Sequence, residues 1–328
     1  MVIAKVQPVD NARQHYKDGL DLFDLKISQD LKEAFPLLIP LRTADFPKGG
    51  GALPLRWVAA DATQVKERLL TGPAANPRFI TSEGVRSFLR VTNECRLMAV
   101  MNAQDKVLER FWKLSDRIGR FQQLASYGFE LSTGATFSVT EFTEENTPMP
   151  RFHNLVMQRR HNRVLNEIQR AGLTSVPNLY WLDNREERWW VEWLQQNPLV
   201  RYVSRDFTRT RHRAAAQERI DALLNLLNKV SRSFHVFLVG LGPAIAASAL
   251  QRLAKDGHTG TVLTSDPIMQ GIHGKLYDHE LKSKSTKSKL KHELVLTNIE
   301  LFETSLLEAV ASTTTSWKAS RNLILPLS

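Results

Sequence analysis

A single cysteine, Cys95, stands in a chain of 328 residues. One thiol can make no internal disulfide and no cysteine-rich zinc site, so the chain reads as a protein of a reducing compartment. Beside the apolar run Leu97 to Met101, Cys95 reads as a packed core residue. Long apolar runs are also missing: the best, Phe234 to Leu250, is interrupted by Gly240, Gly242 and Pro243, and no segment reads as a membrane span. The opening Met1-Val-Ile-Ala-Lys-Val turns polar at once and lacks the apolar stretch of a signal peptide, which makes the cytoplasm the expected location. No glycine-rich dinucleotide turn follows a strand, and the triple glycine Gly49-Gly50-Gly51 lacks the Lys-Ser/Thr of a phosphate-binding loop. Histidines at 273, 279 and 292 lie near Asp278, Glu280 and Glu293 without the spacing of a zinc motif, so neither metal nor cofactor is expected.

Charge is what the chain has in excess. Lys and Arg number 44 against 34 Asp and Glu, a formal net charge of +10. Such a surplus draws polyanions and speeds encounter with them, which makes DNA or RNA the first partner to consider. Hydrophobic residues make up 42%, ample for a large buried core.

Residues 1–90 carry the weakest signals: a helix over 10–25, a strand over 55–60, a helix over 64–70, and loops rich in glycine and proline. They read as an N-terminal extension packed on the rest of the chain. From residue 95 the organisation is regular. Arg96 to Asn102 is an apolar run of strand length, and Val107, Phe111, Leu114, Ile118 and Phe121 form one helical stripe. Ala135 to Phe142 alternates as a strand does. Pro148 and Pro150 open a long basic helix that reaches Arg170 and closes at Gly172. Strands over 176–182, 200–204, 234–240 and 260–265 then alternate with helices, the first bearing Trp189, Trp190 and Trp193. Strands separated by single helices call for parallel pairing with right-handed crossovers. The expected fold is therefore α/β, a TIM-like (β/α) barrel, complete or nearly so, over residues 91–280. A basic run and a C-terminal helix fill 281–328.

In such barrels catalytic side chains come from the C-terminal strand ends. Those ends deliver Asn102 with Asp105, then Glu141, Asp183, Asp206 and Asp266. Carboxylates that converge on one mouth can supply a nucleophile and a general acid or base, although an Asp at a strand-to-helix junction also serves as an N-cap. Three basic clusters can neutralise phosphates: Arg159, Arg160 and Arg163 on the long helix; Arg205, Arg209, Arg211 and Arg213 beside Asp206; and Lys275, Lys282, Lys284, Lys287 and Lys289 in the tail. The tryptophans at helical spacing read as core packing or as stacking platforms for bases.

Two stretches resemble known families. Phe137-Ser-Val, Met149-Pro150, the Arg160 region, Gly172, Pro177 and Trp181 lie in the order seen in an uncharacterised phage, plasmid and bacterial family, domain of unknown function forty-four seventeen, over about residues 96–207. That family has no activity to carry over. His235-Val-Phe-Leu-Val-Gly-Leu-Gly-Pro, Gly260-Thr-Val-Leu-Thr-Ser-Asp-Pro and Gly274-Lys-Leu-Tyr resemble the last barrel repeats of tRNA-guanine transglycosylases and their DNA-modifying relatives. The resemblance implies that Asp266 attacks the ribose C1′ carbon, with Gly240, Gly242 and Tyr277 around the base and a 7-deazaguanine-type base as co-substrate. It leaves the general base open among Asp105, Asp183 and Asp206, and the zinc-binding cysteines of the tRNA enzymes have no counterpart here.

The expected function is thus a base-exchanging enzyme of nucleic acid. A non-catalytic DNA- or RNA-binding component of a phage, plasmid or defence system, working with other proteins, is the alternative. A metal-dependent nuclease is a further one.

Overall fold

The computed structural model describes residues 25–31, 34–42, 51–62, 69–70, 81–142, 146–210, 212–278, 280–286 and 290–312. The helix expected over 10–25, most of that over 64–70, and Arg211, Lys287 and Lys289 lie outside the described residues.

Eight parallel strands form one sheet in the order β5-β4-β3-β2-β1-β8-β7-β6. They are β1 (Leu38–Arg42), β2 (Trp57–Asp61), β3 (Arg96–Val100), β4 (Phe129–Thr133), β5 (Thr174–Val176), β6 (Tyr202–Asp206), β7 (His235–Val239) and β8 (Thr259–Thr264). The helices are α1 (Ser82–Leu89), α2 (Asp105–Trp112), α3 (Arg117–Ser126), α4 (Arg151–Arg170), α5 (Asn184–Gln196), α6 (Arg213–Lys229), α7 (Pro243–Lys255), α8 (Asp266–Ile272) and α9 (Lys291–Ala311). The expected (β/α) barrel is therefore present, nearly closed, with its open seam between β5 and β6.

Strand alternation sorts the apolar residues into two shells. Ile39, Leu41, Trp57, Ala59, Met98, Val100, Leu131, Val176, Tyr202, Phe237, Val239 and Leu263 fill the interior. The opposite faces pack on the helices in two large clusters. Trp190 and Trp193 belong to this outer shell, and their indole N–H groups donate to the carbonyls of Tyr180 and Leu25, both at 3.0 Å. They are core residues.

The chain's first strands correct the domain reading. β1 and β2 are ring members, so the stretch read as an extension supplies a quarter of the barrel. At the other end α9 packs on α7, α8 and β1, so the C-terminal helix is part of the barrel as well. Two local readings also change. The stripe from Val107 to Phe121 is two helices, because Asp116 accepts from Gly119 N at 2.8 Å and caps a second start. The fourth strand is Phe129–Thr133, and the alternating Ala135 to Phe142 is the loop after it.

Two backbone bonds and one side chain complete the seam where the ladder stops. Leu179 N donates to Ser204 O and Ser204 N to Pro177 O, both at 2.8 Å. Below them Gln29, 5% exposed, stands between the strands. Its Nε2 donates to Ser175 O and Tyr202 O at 2.8 Å, and its Oε1 accepts from Arg201 N and Tyr202 N at 2.7 and 2.6 Å. One amide thus does the work of a missing length of strand.

The long basic helix keeps one of its arginines inside, while Arg151, Arg163 and Arg170 are exposed. Arg160 on α4 is 3% exposed, lies against Trp112 at 4.9 Å and pairs with Glu109 at 2.6 Å. Arg117 covers Trp112 at 4.4 Å and grips Glu167 through two bonds of 2.8 and 2.6 Å. Arg163 pairs with the same Glu167 at 3.4 Å. Removing one partner of a buried pair strands the other charge, so Glu109→Ala is expected to cost about 3 kcal/mol in chemical denaturation. Glu109→Gln, which keeps an acceptor for Arg160, is expected to cost less; equal losses would show that the charge itself contributes nothing.

Candidate active site

The site arises from continuing each strand's inward alternation by one more step. After Ala59 comes Asp61, after Val100 comes Asn102, after Val176 comes Asn178, and after Ser204 comes Asp206. The apolar interior thus gives way at the C-terminal mouth to a polar ring. These four residues line a cavity of about 680 Å³, together with Thr136, Ser138, His153, Trp181, Arg205, Arg209, Arg219, Gly240 and Ser265. β2 and β6 are four places apart in the ring of eight, so Asp61 and Asp206 face each other from opposite walls.

Asp206 accepts from Thr208 N at 2.8 Å. Burial pushes its carboxyl above the usual range, against the opposing pull of the Thr208 N–H and hydroxyl and of the Arg209 and Arg205 guanidiniums. Arg205 is pushed down to about 9, chiefly by burial, with Arg219 adding to the shift and Asp206 opposing it. Its guanidinium lies 4.3 Å over Trp181 and donates to Leu179 O. Arg209 reaches across the mouth, donating to Ser138 Oγ at 2.9 Å and to Ala103 O at 3.4 Å, with Asp105 at 3.9 Å. Ser138 Oγ in turn donates to Asp105 at 2.6 Å.

Asn178 is held by buried machinery. Its backbone N donates to His161 Nε2 at 3.3 Å, and its amide nitrogen bonds to Thr136 Oγ1. His161 Nδ1 lies 2.7 Å from Ala135 O, and a carbonyl only accepts, so the ring proton is on Nδ1. Gly134 makes room for the ring: a Cβ there would lie 2.3 Å from His161 Cε1. Burial drives His161 down to about 4 and His235, under the barrel, to about 3. Both rings are neutral in the fold but charge in the unfolded chain below about pH 6.5. Their contribution to stability is therefore full above that pH and is lost as pH falls toward the folded values. A loss on the order of 3 kcal/mol from His161 alone is expected by pH 4. Denaturation midpoints that stay flat between these pH values would contradict buried neutral rings.

Of the carboxylates expected at the mouth, only Asp206 lines the cavity. Asp183 caps α5, accepting from Arg185 N and Glu186 N at 2.8 and 2.9 Å. Asp105 is bound to Ser138 behind the wall, and Glu141 is exposed on the loop after β4. Asp266 begins α8, where its carboxylate accepts from the Tyr277 hydroxyl and from Gln270 Nε2, the latter at 3.3 Å. Burial and the Asp266 contact push the Tyr277 phenol up.

Among the glycines of the expected base pocket, Gly240 lines the cavity, whereas Gly242 caps α7 with open space beside it. At φ +83° Gly240 sits against Thr208, whose backbone N a Cβ would meet at 2.9 Å. Of the basic clusters, Arg205 and Arg209 reach the cavity, Arg213 is exposed at the start of α6, and Arg159 and Arg163 lie on α4. Lys275 lies on β9 (Lys275–Tyr277), which pairs with β10 (Ser283–Ser285). That hairpin partly neutralises itself, since Lys284 pairs with Asp278 at 3.1 Å and Lys282 with Glu280.

Asp61, Asn178, His153 and Arg219 were missed by sequence reasoning. The first two carried a usable signal, the parity of their strands. The other two reach the mouth from α4 and α6, and no local pattern announces that. Among the described residues no helix is long and apolar enough to cross a membrane, and no three His, Cys, Asp or Glu side chains gather as metal ligands would. No family model matches the chain, and no curated protein matches it either.

Proposed function

We propose that the barrel mouth is the active site of a base-exchanging enzyme of nucleic acid, with Asp61 and Asp206 as its two working carboxyls. The observation that carries this is the placement of these acids on opposite walls of one cavity, with burial raising the pKa of Asp206. A carboxyl whose pKa is raised by burial can serve as the acid while a second carboxyl across the cavity serves as the nucleophile. An Asp61 oxygen bonds to the ribose C1′ as the C1′–N bond breaks, and the electron pair leaves with the base, which takes the Asp206 proton. The incoming base gives its N–H proton back to Asp206, and its nitrogen displaces Asp61 from C1′. The transglycosylase resemblance puts the nucleophile at Asp266. Its engagement with Tyr277 and Gln270, off the cavity wall, favours Asp61 instead. A target base must leave its stack to enter such a mouth, and the net positive charge favours the polymer that carries it.

The test is to incubate the protein with labelled guanine or a 7-deazaguanine and with DNA or RNA, single- and double-stranded. Label entering polymer, or base released from it, is expected. If neither is found for any polymer, the proposal falls.

A further inference from the structure

The mouth holds more positive charge than its carboxylates answer. Arg205, Arg209 and Arg219 all line the cavity, and they come from one stretch of chain: the end of β6, the loop after it and the second turn of α6. Neither Arg205 nor Arg219 has an ion-pair partner among the described residues, and their like charges lie close enough to repel. Arg205 is 8% exposed and its Nε has no hydrogen-bond partner, while its Nη1 is spent on Leu179 O. A buried guanidinium N–H left unpaired beside a cavity is costly, and burying it beside a second arginine is costlier still. Arg209 is tied by the long contacts to Ala103 O and Asp105 and by one ordinary bond to Ser138. Arg219 holds Thr210 Oγ1 at 2.8 Å and is otherwise exposed. Two carboxyls, Asp61 and Asp206, line the cavity against these three arginines, and burial raises the Asp206 pKa against the pull of Arg209 and Arg205.

We infer that Arg205, Arg209 and Arg219 form a subsite for one phosphate group at the β6 side of the mouth. Guanidiniums grip phosphate through paired N–H donors, and three of them on one wall can surround a single phosphate from three sides. Arg205 is the fixed member, locked over Trp181 and under the cavity wall. Arg209 is the movable one, able to exchange Ser138 and Ala103 for phosphate oxygens. This deepens the reading of the mouth as a nucleic-acid site and rests on it for biological meaning. It is tested by binding alone, however, so loss of base exchange and loss of the subsite are separate results.

The experiment is calorimetric titration and thermal-shift measurement on the full chain at constant ionic strength. The probes are inorganic phosphate, a dinucleotide with one internal phosphodiester, and an uncharged nucleoside. Phosphate or the dinucleotide should bind and raise Tm, and the nucleoside should bind more weakly by about tenfold or more. Arg219→Gln should weaken the charged probes about tenfold, and Arg209→Gln combined with Arg219→Gln should remove measurable binding. Lys255→Gln, at the far end of α7, should change nothing. Binding of phosphate but not the dinucleotide would support a terminal or free phosphate as the occupant; the reverse would support a phosphodiester of the polymer. The inference is overturned if the double variant, folded with the parent's Tm, binds both charged probes as the parent does. It is overturned equally if neither charged probe binds more tightly than the nucleoside.

Discussion

Asp206→Asn should remove base exchange by about 10²–10⁴-fold and, at the same time, make the protein more stable at neutral pH. The loss follows from the proton: an amide can neither give one to a departing base nor take one back. The gain follows from linkage. Burial raises the folded pKa of Asp206 above its unfolded value. The folded state then holds a proton that the unfolded state gives up. The stabilisation from this group is complete below the unfolded pKa and is lost as pH rises through the folded one. Asparagine has no such penalty at pH 7, and its oxygen can still accept from Thr208 N. Denaturation and exchange assays on one preparation decide the matter. A variant that is less stable at pH 7 would mean the carboxylate is favoured in the fold, and a variant of normal activity would move the chemistry away from Asp206.

Gln29→Ala should cost about 3 kcal/mol or more, far beyond the usual effect of a polar substitution outside a helix or strand. Four backbone groups lose their partners at once: the carbonyls of Ser175 and Tyr202, and the N–H groups of Arg201 and Tyr202. They lie where β5 and β6 share no regular ladder, so no neighbouring strand can take over. Gln29→Glu should be no better, because a carboxylate would face two carbonyl oxygens in place of the donor they need. Denaturant midpoints would settle it. A loss below about 1 kcal/mol would show that water fills the seam.

The second half of the barrel was legible because its elements announce themselves. The strands at 235–239 and 259–264 are apolar runs bounded by turns, and the stripe Ile220, Leu223, Leu224 and Leu227 has one clear period. β1 was hidden by its own composition: five residues with Pro40 in the middle argue against a strand paired on both sides. The site was half legible. Asp206 could be named because it ends a convincing strand, and Asp61 was missed because its strand was only sketched. Asp183 and Asp266 are strand-to-helix junction residues of the same chemical type. What separates them from Asp206 is which way the chain turns after the strand, which depends on packing rather than on neighbouring letters. The arginines of α4 misled for a related reason. Their spacing suits an exposed face, and only the positions of Trp112 and Glu109 on another element show that Arg160 is inside.

The ring order also sets a timetable for synthesis. β1 pairs on one side with β2, its neighbour in the chain, and on the other with β8, whose residues leave the ribosome more than 200 positions later. Until then the β1 edge stays raw, and before β6 emerges a five-stranded arc, β1 to β5, presents an uncovered apolar lining. Gln29 waits beside it for Tyr202, 173 residues downstream. Such an intermediate invites pairing with other nascent chains. The protein should therefore depend on early protection of its first half while it is being made, and a slow stretch of translation after β8 would be of no help.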